Sequence, residues 1–512
     1  MPQKPAIIPE PVAYSSQTGN FSLDKQTVVV VNGVSILPDL QLLLLLLDKD
    51  FDLHPKIATD LPAKNAIVFE EQNTLNPEAY ELKISEDGIR VKAKRDGSGF
   101  FYAIQSLIQV LHSGISGPGT LTLPCLLIKD EPRFSWRGMH LDVCRHFFPT
   151  EFIKKYIDLL ASYKMNVFHW HLSDDQGWRI EIKKYPELTR QGAWRKGSMI
   201  GAYSDHKFDT LTYGGFYSQD EIRDIVSYAA NRHITIVPEI EMPGHAVAAI
   251  SAYPFLSCKR QKIPVEKAWG VFDDVFCTRD SVFAFLQDVL DEVCELFPGN
   301  TIHIGGDECP KTRWKSCADC QKRMKDEKLK DEHELQSYFI RRIETFLNLK
   351  GRSIIGWDEI LEGGLAPNAA VMSWRGVQGG IEAAHMKHKV VMSPGRPCYF
   401  DHYQTRDIGR EPLAIGGFNP VDSVYAFEPV PTALNSEEQK YIAGAQANVW
   451  TEYILNGSQV EYMVLPRLCA LSEVLWTPKE KKDFSLFLVK LQSQRKEWDR
   501  NNYNYAKHLF PR

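Results

Sequence analysis

The residues with the clearest chemical potential in this 512-residue chain are carboxylates, arginine and tryptophan that recur in short motifs. His303-Ile-Gly-Gly-Asp307-Glu308 sets two adjacent acids behind paired glycines, which allow another chain or a ligand to approach closely. Asp142-Val-Cys-Arg145-His146 pairs an acid with a cation, and His169-Trp-His171-Leu-Ser-Asp174-Asp175 combines imidazoles with acids. Glu239-Ile-Glu241-Met-Pro-Gly-His245, Trp357-Asp358-Glu359, Trp374-Arg375, Tyr399-Phe-Asp401 and Trp450-Thr-Glu452 follow in order. Carboxylates and Arg hold sugar hydroxyls by charge-assisted hydrogen bonds, and Trp offers a flat apolar face to a pyranose ring. Any one of these residues also fits a packed core or a structural ion pair; the joint pattern is what points to carbohydrate.

These motifs need a scaffold that brings their ends together. From about residue 133 onward, strand-like and helix-like segments alternate, the mark of a parallel sheet with crossover helices. Strands are predicted over 138–144, 166–172, 235–241, 301–305, 353–357, 371–374, 390–393 and 443–450, with helices over 150–163, 219–233, 282–297 and 333–349. Ser218-Gln-Asp-Glu221 reads as a capping box. Eight strands predict a (β/α)8 TIM barrel, and the short Gly/Pro-rich stretch 362–368 predicts a missing or degenerate fifth helix. Every motif above falls at a strand's carboxyl end, where such barrels carry their sites. Residues 1–130 read as a small α+β domain: strands over 27–31, 80–84 and 88–94, a buried helix on the leucine run 42–47, and a helix over 100–111. The turn-rich segment 113–119 and then Lys129-Asp-Glu-Pro132 separate it from the barrel region, 133–512.

Composition excludes several classes. The formal charge is −5 with no basic stripe, which argues against nucleic acid. No apolar run approaches the roughly 20 residues of a membrane span. Met1-Pro-Gln-Lys-Pro lacks the apolar stretch of a signal peptide. The expectation is a periplasmic or secreted protein whose leader has been removed, with a cytoplasmic one as the alternative. Ten cysteines are too few for a disulfide scaffold. Cys317-Ala-Asp-Cys320 has the spacing of a zinc half-site or redox pair, but no second C-x-x-C completes a four-cysteine zinc site. The pair is therefore expected to be structural or incidental, and Cys258 and Cys277 are candidates to bridge a loop.

Neighbouring strand residues project to opposite faces. Asp307 and Glu308 are therefore expected not to flank one glycosidic bond as nucleophile and acid at the roughly 5 Å spacing of ordinary retaining glycosidases. Two different jobs fit them if a sugar's own 2-acetamido oxygen is the nucleophile, one carboxylate orienting that amide and the other protonating the leaving oxygen. Two other classes are weighed: a non-catalytic sugar-binding protein, and a metal-dependent barrel hydrolase using His169 and His171.

The chain resembles the family 20 glycoside hydrolases, the β-N-acetylhexosaminidases. The likeness is carried by Arg137-Gly-Met-His-Leu-Asp-Val-Cys-Arg145-His-Phe-Phe, Phe168-His-Trp-His-Leu-Ser-Asp-Asp, Glu239-Ile-Glu-Met-Pro-Gly-His245, His303-Ile-Gly-Gly-Asp-Glu308 and Gln446-Ala-Asn-Val-Trp-Thr-Glu452. The first 130 residues are similar to the small domain that precedes the barrel in that family. The resemblance implies Glu308 as general acid/base, Asp307 as the carboxylate holding the acetamido nitrogen and Tyr399 as donor to the acetamido carbonyl. It implies Trp357, Trp374 and Trp450 as walls of the terminal-sugar subsite, Arg145 on the 3- and 4-hydroxyls, Asp401 and Glu452 on the 4- and 6-hydroxyls, and His245 in support of the acids through Asp307. Where many relatives carry Asp, this chain has Glu241. The implied activity is retaining hydrolysis through an oxazolinium intermediate, with N-acetylhexosamine-terminated glycans as partners and no metal or organic cofactor. Glu308 is expected to have a raised pKa, with the Asp307 charge as one source. The 176–217 segment is expected to shape the aglycone side, with Trp170 and Trp178 near the rim.

Overall fold

A computed structural model of the chain describes residues 4–32, 37–60, 64–117 and 119–510. Residues 136–447 contain a closed barrel of eight parallel strands: β1 (Trp136–Asp142), β2 (Val167–His171), β3 (Thr235–Glu239), β4 (Thr301–His303), β5 (Ser353–Trp357), β6 (Ala370–Ser373), β7 (Val390–Met392) and β8 (Ile442–Ala447), with β8 pairing back onto β1. These match the eight strands expected, with termini shifted by up to a few residues.

Alternation across the strands sorts their residues. On β2, Val167 faces an inner cluster with Val237, Ile355, Trp357, Met372 and Val391, while Phe168 and Trp170 face the surrounding helices. Trp170 thus packs on Phe168 and Tyr217 and is fully buried, and Trp178 is equally buried; neither lies at a rim as expected. Parallel register sets His171 opposite both Asp142 and Glu239, and Glu239 opposite His303, so four polar residues form one layer at the carboxyl ends.

Helices Thr150–Ser162, Gln219–Ala230, Asp280–Leu296 and Glu332–Leu349 follow the first four strands. The Ser218 hydroxyl accepts from the Glu221 N–H while the Glu221 carboxylate accepts from the Ser218 N–H, the reciprocal cap expected. After β5 only the 3-10 turn Asp358–Leu361 forms, so the fifth helix is absent. No helix among the described residues is long and apolar enough to cross a membrane.

The N-terminal region builds one eight-stranded sheet, including the antiparallel pair Tyr80–Ser85 and Gly88–Ala93, with helices Leu37–Phe51 and Gly99–His112. In the first helix Leu40, Leu43 and Leu47 are buried and Leu45 is exposed, so the leucine run supplies one apolar face rather than a fully buried helix. Two long strands, Ala13–Asp24 and Thr120–Asp130, escaped the sequence reading. The first is a polar, largely exposed edge strand with no apolar alternation over most of its length. Part of the expected turn, Ile115–Gly117, pairs with the second. The two regions are joined by buried polar groups: Lys164 Nζ lies 2.9 Å from Asp130 Oδ2, and Asp130 also accepts from the Tyr80 hydroxyl and the Trp476 indole.

Candidate active site

The carboxyl ends of the barrel strands surround a cavity of about 310 Å³, and all ten residues proposed from sequence line it. Asp142, at the end of β1, organises the entrance. It accepts from the N–H groups of Cys144 and Arg145 and from the N–H and hydroxyl of Thr451, tying the loops after β1 and β8 together. Arg145 is thereby aimed inward. Its guanidinium lies 3.0 Å from Asp174, 3.3 Å from Asp142 and 3.9 Å from Glu452, and 5.2 Å above the Trp450 ring. Gln176 accepts from Arg145 Nε, and Arg195 donates to its carbonyl oxygen. The 176–217 segment therefore buttresses Arg145 from behind and contributes nothing to the cavity wall; His402 and residues 415–417 form that wall instead.

Three histidines converge on one carboxylate beneath the cavity, with the Nε2 atoms of His169 and His303 left without a well-aligned hydrogen bond. His169, His171 and His303 all close on Glu239, at 3.0 Å for His169 and 2.8 Å for His303, and the Trp357 indole donates to the same carboxylate. His171 directs its other ring nitrogen at Asp174. Burial opposes its charge, but Glu239 and Asp174 outweigh burial and hold it up at about 10. His169 is pushed down to about 4 by burial. His169, Glu239 and His303, like His140, His171 and Glu239, bring possible ligand atoms within 4.8 Å of one another, but none of these residues lines the cavity, so a metal held there would lie beneath it.

The acid pair departs from expectation in two ways. β4 ends at His303, and the chain beyond it turns through left-handed backbone at Gly305 (φ 65°), Gly306 (φ 96°) and Glu308 (φ 44°). Strand alternation therefore does not apply, and Asp307 and Glu308 both face the cavity. Glycine at 305 is required twice over, for its φ and because a Cβ there would lie 1.6 Å from Glu241 Oε2. A left-handed Glu308 is backbone strain stored at the site.

The second departure concerns ionisation. His245 Nδ1 sits 2.9 Å from Asp175 and 3.3 Å from Asp174, while Nε2 lies 3.6 Å from Glu308 and 3.7 Å from Asp307. Its support thus reaches both acids rather than Asp307 alone. Burial opposes the imidazolium, but the two aspartates hold His245 well above its ordinary value. That cation lowers Glu308, which sequence reasoning expected to be raised, and outweighs its burial. Asp307 is the raised member, at about 6, because of burial and then the charges of Glu239 and Glu308. The two also differ in depth: the Glu308 side chain is 41% exposed at the mouth and that of Asp307 is 11% exposed below it.

Tryptophans and a tyrosine complete the walls. Trp374 stacks near Tyr399 with centroids 6.1 Å apart and donates to Glu359, which burial and Asp307 push up to about 8. Trp357 and Trp450 meet at 5.8 Å. Burial and Asp401 hold the Tyr399 phenol well above its usual range, so it remains a donor. Asp307 Oδ1, Asp401 Oδ1, Glu452 Oε2 and both Glu241 oxygens are buried with no protein hydrogen-bond partner. Buried polar atoms are nearly always paired, so this concentration marks the wall of a polar-ligand site. Asp174, Glu241, His402 and Ile415 also line the cavity but were not proposed from sequence. The motifs containing Asp174 and Glu241 were the available signal; nothing local marked the 402–417 loop.

Comparison with known proteins agrees with this arrangement. The description "Glycosyl hydrolase family 20, catalytic domain" matches residues 134–479, and "Glycosyl hydrolase family 20, domain 2" matches residues 4–131. The chain is 47% identical over 508 residues to a beta-hexosaminidase of Porphyromonas gingivalis, covering 98% of this chain and 64% of that protein. It is 32% identical to a beta-N-acetylhexosaminidase of Cellulomonas fimi, covering 98% and 95% of the two. The crystal structure of the GH20 exo beta-N-acetylglucosaminidase from Vibrio harveyi in complex with N-acetylglucosamine superposes with a TM-score of 0.88 at 32% identity, covering 99% of this chain and 79% of that one. The chain thus spans just under two thirds of the length of the Porphyromonas relative. With the barrel and the preceding sheet both matched in order, the chain belongs to glycosyl hydrolase family 20.

Proposed function

We propose that the chain is an exo-acting β-N-acetylhexosaminidase that removes terminal, non-reducing β-linked N-acetylhexosamine, N-acetylglucosamine foremost, from glycans with retention of configuration. The carrying observation is the graded acid pair: a deep Asp307 and a mouth-facing Glu308, both within 3.7 Å of one imidazolium nitrogen. The small, walled cavity suits a single terminal sugar. Its ring stacks on Trp450, with Arg145, Asp401 and Glu452 on the 3-, 4- and 6-hydroxyls and the acetamide between Trp357, Trp374 and Tyr399. The acetamido carbonyl oxygen attacks C1, the C1–O bond to the leaving group breaks, and Glu308 gives its proton to that oxygen. Asp307 accepts from the acetamido N–H and offsets the positive charge of the oxazolinium, while the Tyr399 hydroxyl donates to the acetamido oxygen. Water then adds to C1, losing a proton to Glu308, and the ring of the intermediate opens.

The pKa order adds a step. With one proton on the pair, the free site holds it mainly on Asp307. Substrate binding gives Asp307 an N–H partner, which favours its ionised form, and covers Glu308, which favours its neutral form. Both changes drive the proton to the mouth, where the leaving oxygen is. A non-catalytic sugar binder would have no use for this pair.

The domain division 1–130 and 133–512 and a periplasmic or secreted location belong to the same proposal. The test compares Asp307→Ala with the unsubstituted protein on matched 2-acetamido and 2-hydroxy aryl glycosides. A far larger rate loss on the acetamido substrate is expected, with the β-anomer as first product by NMR. Equal losses, or an α-anomer first, would overturn the mechanism.

A further inference from the structure

The C-x-x-C pair does not stand alone. Cys258 and Cys277, 62 and 40 residues away respectively, meet Cys320 and Cys317 in the fold, and the four Sγ atoms all lie within 4.8 Å of one another. Cys258 Sγ is 3.7 Å from Cys320 Sγ, and Cys277 Sγ is 3.8 Å from Cys317 Sγ and 3.6 Å from Cys320 Sγ. A zinc ion with four thiolates at about 2.3 Å in a tetrahedron has ligand sulfurs about 3.8 Å apart. A disulfide would need about 2.05 Å. Three of the sulfurs are on buried residues and Cys258 is half-buried, which leaves an entry side.

The backbone builds this convergence from two directions. Cys317 is the N-cap of helix Ala318–Asp326 and Cys320 lies in its first turn, so one helix start presents both sulfurs. Opposite, Ser257 and Phe276 form an antiparallel bridge and the Cys277 N–H donates to the Leu256 carbonyl, placing Cys258 and Cys277 on neighbouring strands of chain. The Trp314 indole donates to the Phe276 carbonyl, closing the two segments on each other.

We propose that Cys258, Cys277, Cys317 and Cys320 bind one zinc ion as a four-thiolate structural site, the ion displacing the four thiol protons. Four tetrahedral thiolates favour zinc or iron, and a closed set of four cysteines leaves no open coordination position, so the site is separate from glycoside chemistry. Its position suggests what it holds. Cys317 comes nine residues after Glu308. On the other arm, the Phe276 N–H donates to the carbonyl of Pro243, two residues before His245. The ion would staple the loop after β4, bearing Asp307 and Glu308, to the loop after β3, bearing His245.

The test is elemental analysis of the full chain purified without added metal or chelator, with intact mass and thiol counting. About one zinc per chain and ten thiols titratable after unfolding in chelator are expected. Cys258→Ser and Cys320→Ser should lose the zinc, while Cys294→Ser, outside the cluster, keeps it. Cobalt exchanged into the unsubstituted protein should give the visible bands of a tetrahedral thiolate site, a readout that does not depend on any variant folding. A mass lowered by two hydrogens per bond with missing thiols would establish disulfides and overturn the proposal. Ten free thiols without metal, or iron in place of zinc, would also overturn it.

Discussion

Replacing His245 with glutamine tests the ionisation argument most directly. The imidazolium stands 3.7 Å from Asp307 and 3.6 Å from Glu308. Unit charges about 4 Å apart attract by about 4 kcal/mol at an effective dielectric constant of about 20, an upper bound here because solvent reaches the half-exposed Glu308. Opposite charges at such distances typically shift a carboxylate by about 1–3 pKa units. The productive state of the pair carries one proton, so kcat/KM for the free protein should fall on the alkaline side as Asp307 ionises near 6. It should fall on the acid side below the ordinary glutamate range, where the lowered Glu308 takes up a second proton. Removing a cation disfavours both carboxylates, so both limbs of the bell move to higher pH in His245→Gln. A shift of only about one unit, from about 6 to about 7, raises the singly protonated fraction at pH 7.5 from roughly 3% to roughly 24%. The rate relative to each protein's own maximum then rises about eightfold. The assay is kcat/KM for a chromogenic N-acetylglucosaminide across the pH range, with circular dichroism to establish folding. A folded variant whose alkaline limb stays in place, or moves toward acid, would refute the role assigned to the imidazolium. Asp175→Asn, which weakens the charge on His245, should shift the limbs in the same direction by less.

Three further outcomes follow from the geometry. Glu308→Gln should lower kcat on a glycan by about 10²–10⁴. It should cost much less in the first step on an aryl glycoside with a good leaving group, and equal losses on both would remove Glu308 from the acid role. Lys164→Met leaves Asp130 charged and buried where the two regions meet, and should cost about 3–5 kcal/mol in urea unfolding; a loss under about 1 kcal/mol would show that the ion pair is not needed. Gly305→Ala drives a methyl into the Glu241 carboxylate and should abolish turnover. Pairing it with Glu241→Ala should recover stability except for the roughly 1–2 kcal/mol of a left-handed alanine, and no recovery would mean that the clash is not the cause.

The barrel was legible because its strands bury both faces and read as short Val/Ile-rich runs, and because Gly363, Gly364 and Pro367 leave no room for a fifth helix. The site residues were legible because the architecture places strand ends together, so their motifs could be pooled without knowing any distance. What stayed hidden depends on contacts remote in sequence. The cysteine cluster joins segments 40 to 62 residues apart, and one C-x-x-C says nothing of its partners. The orientation of Asp307 and Glu308 depends on β4 stopping at His303, four residues before the pair. Their pKa order depends on His245 being charged by Asp174 and Asp175, which arrive from the loop after β2. Adjacent acids suggested mutual repulsion; the structure sets the same imidazolium nitrogen against both.

That cation also explains which ligand charge the cavity accepts. Six carboxylates line it, Asp174, Glu241, Asp307, Glu308, Asp401 and Glu452, against two cationic groups, Arg145 and His245. Only two of the six are held low: Asp174, where Arg145 and His245 outweigh burial, and Glu308, where His245 does. The other four are pushed up, chiefly by burial and then by neighbouring carboxylates. Each cation thus has a low carboxylate to pair with, and protonation of the raised acids lessens the charge that an uncharged sugar would desolvate. A sugar bearing its own carboxylate would find no free cation and several acids, and is disfavoured. In the mechanism proposed above, positive charge developing at C1 and across the acetamide has the opposite effect: it stabilises the ionised form of Asp307, the deeper acid of the pair. On that mechanism the surplus of carboxyl groups suits an uncharged substrate and a cationic transition state.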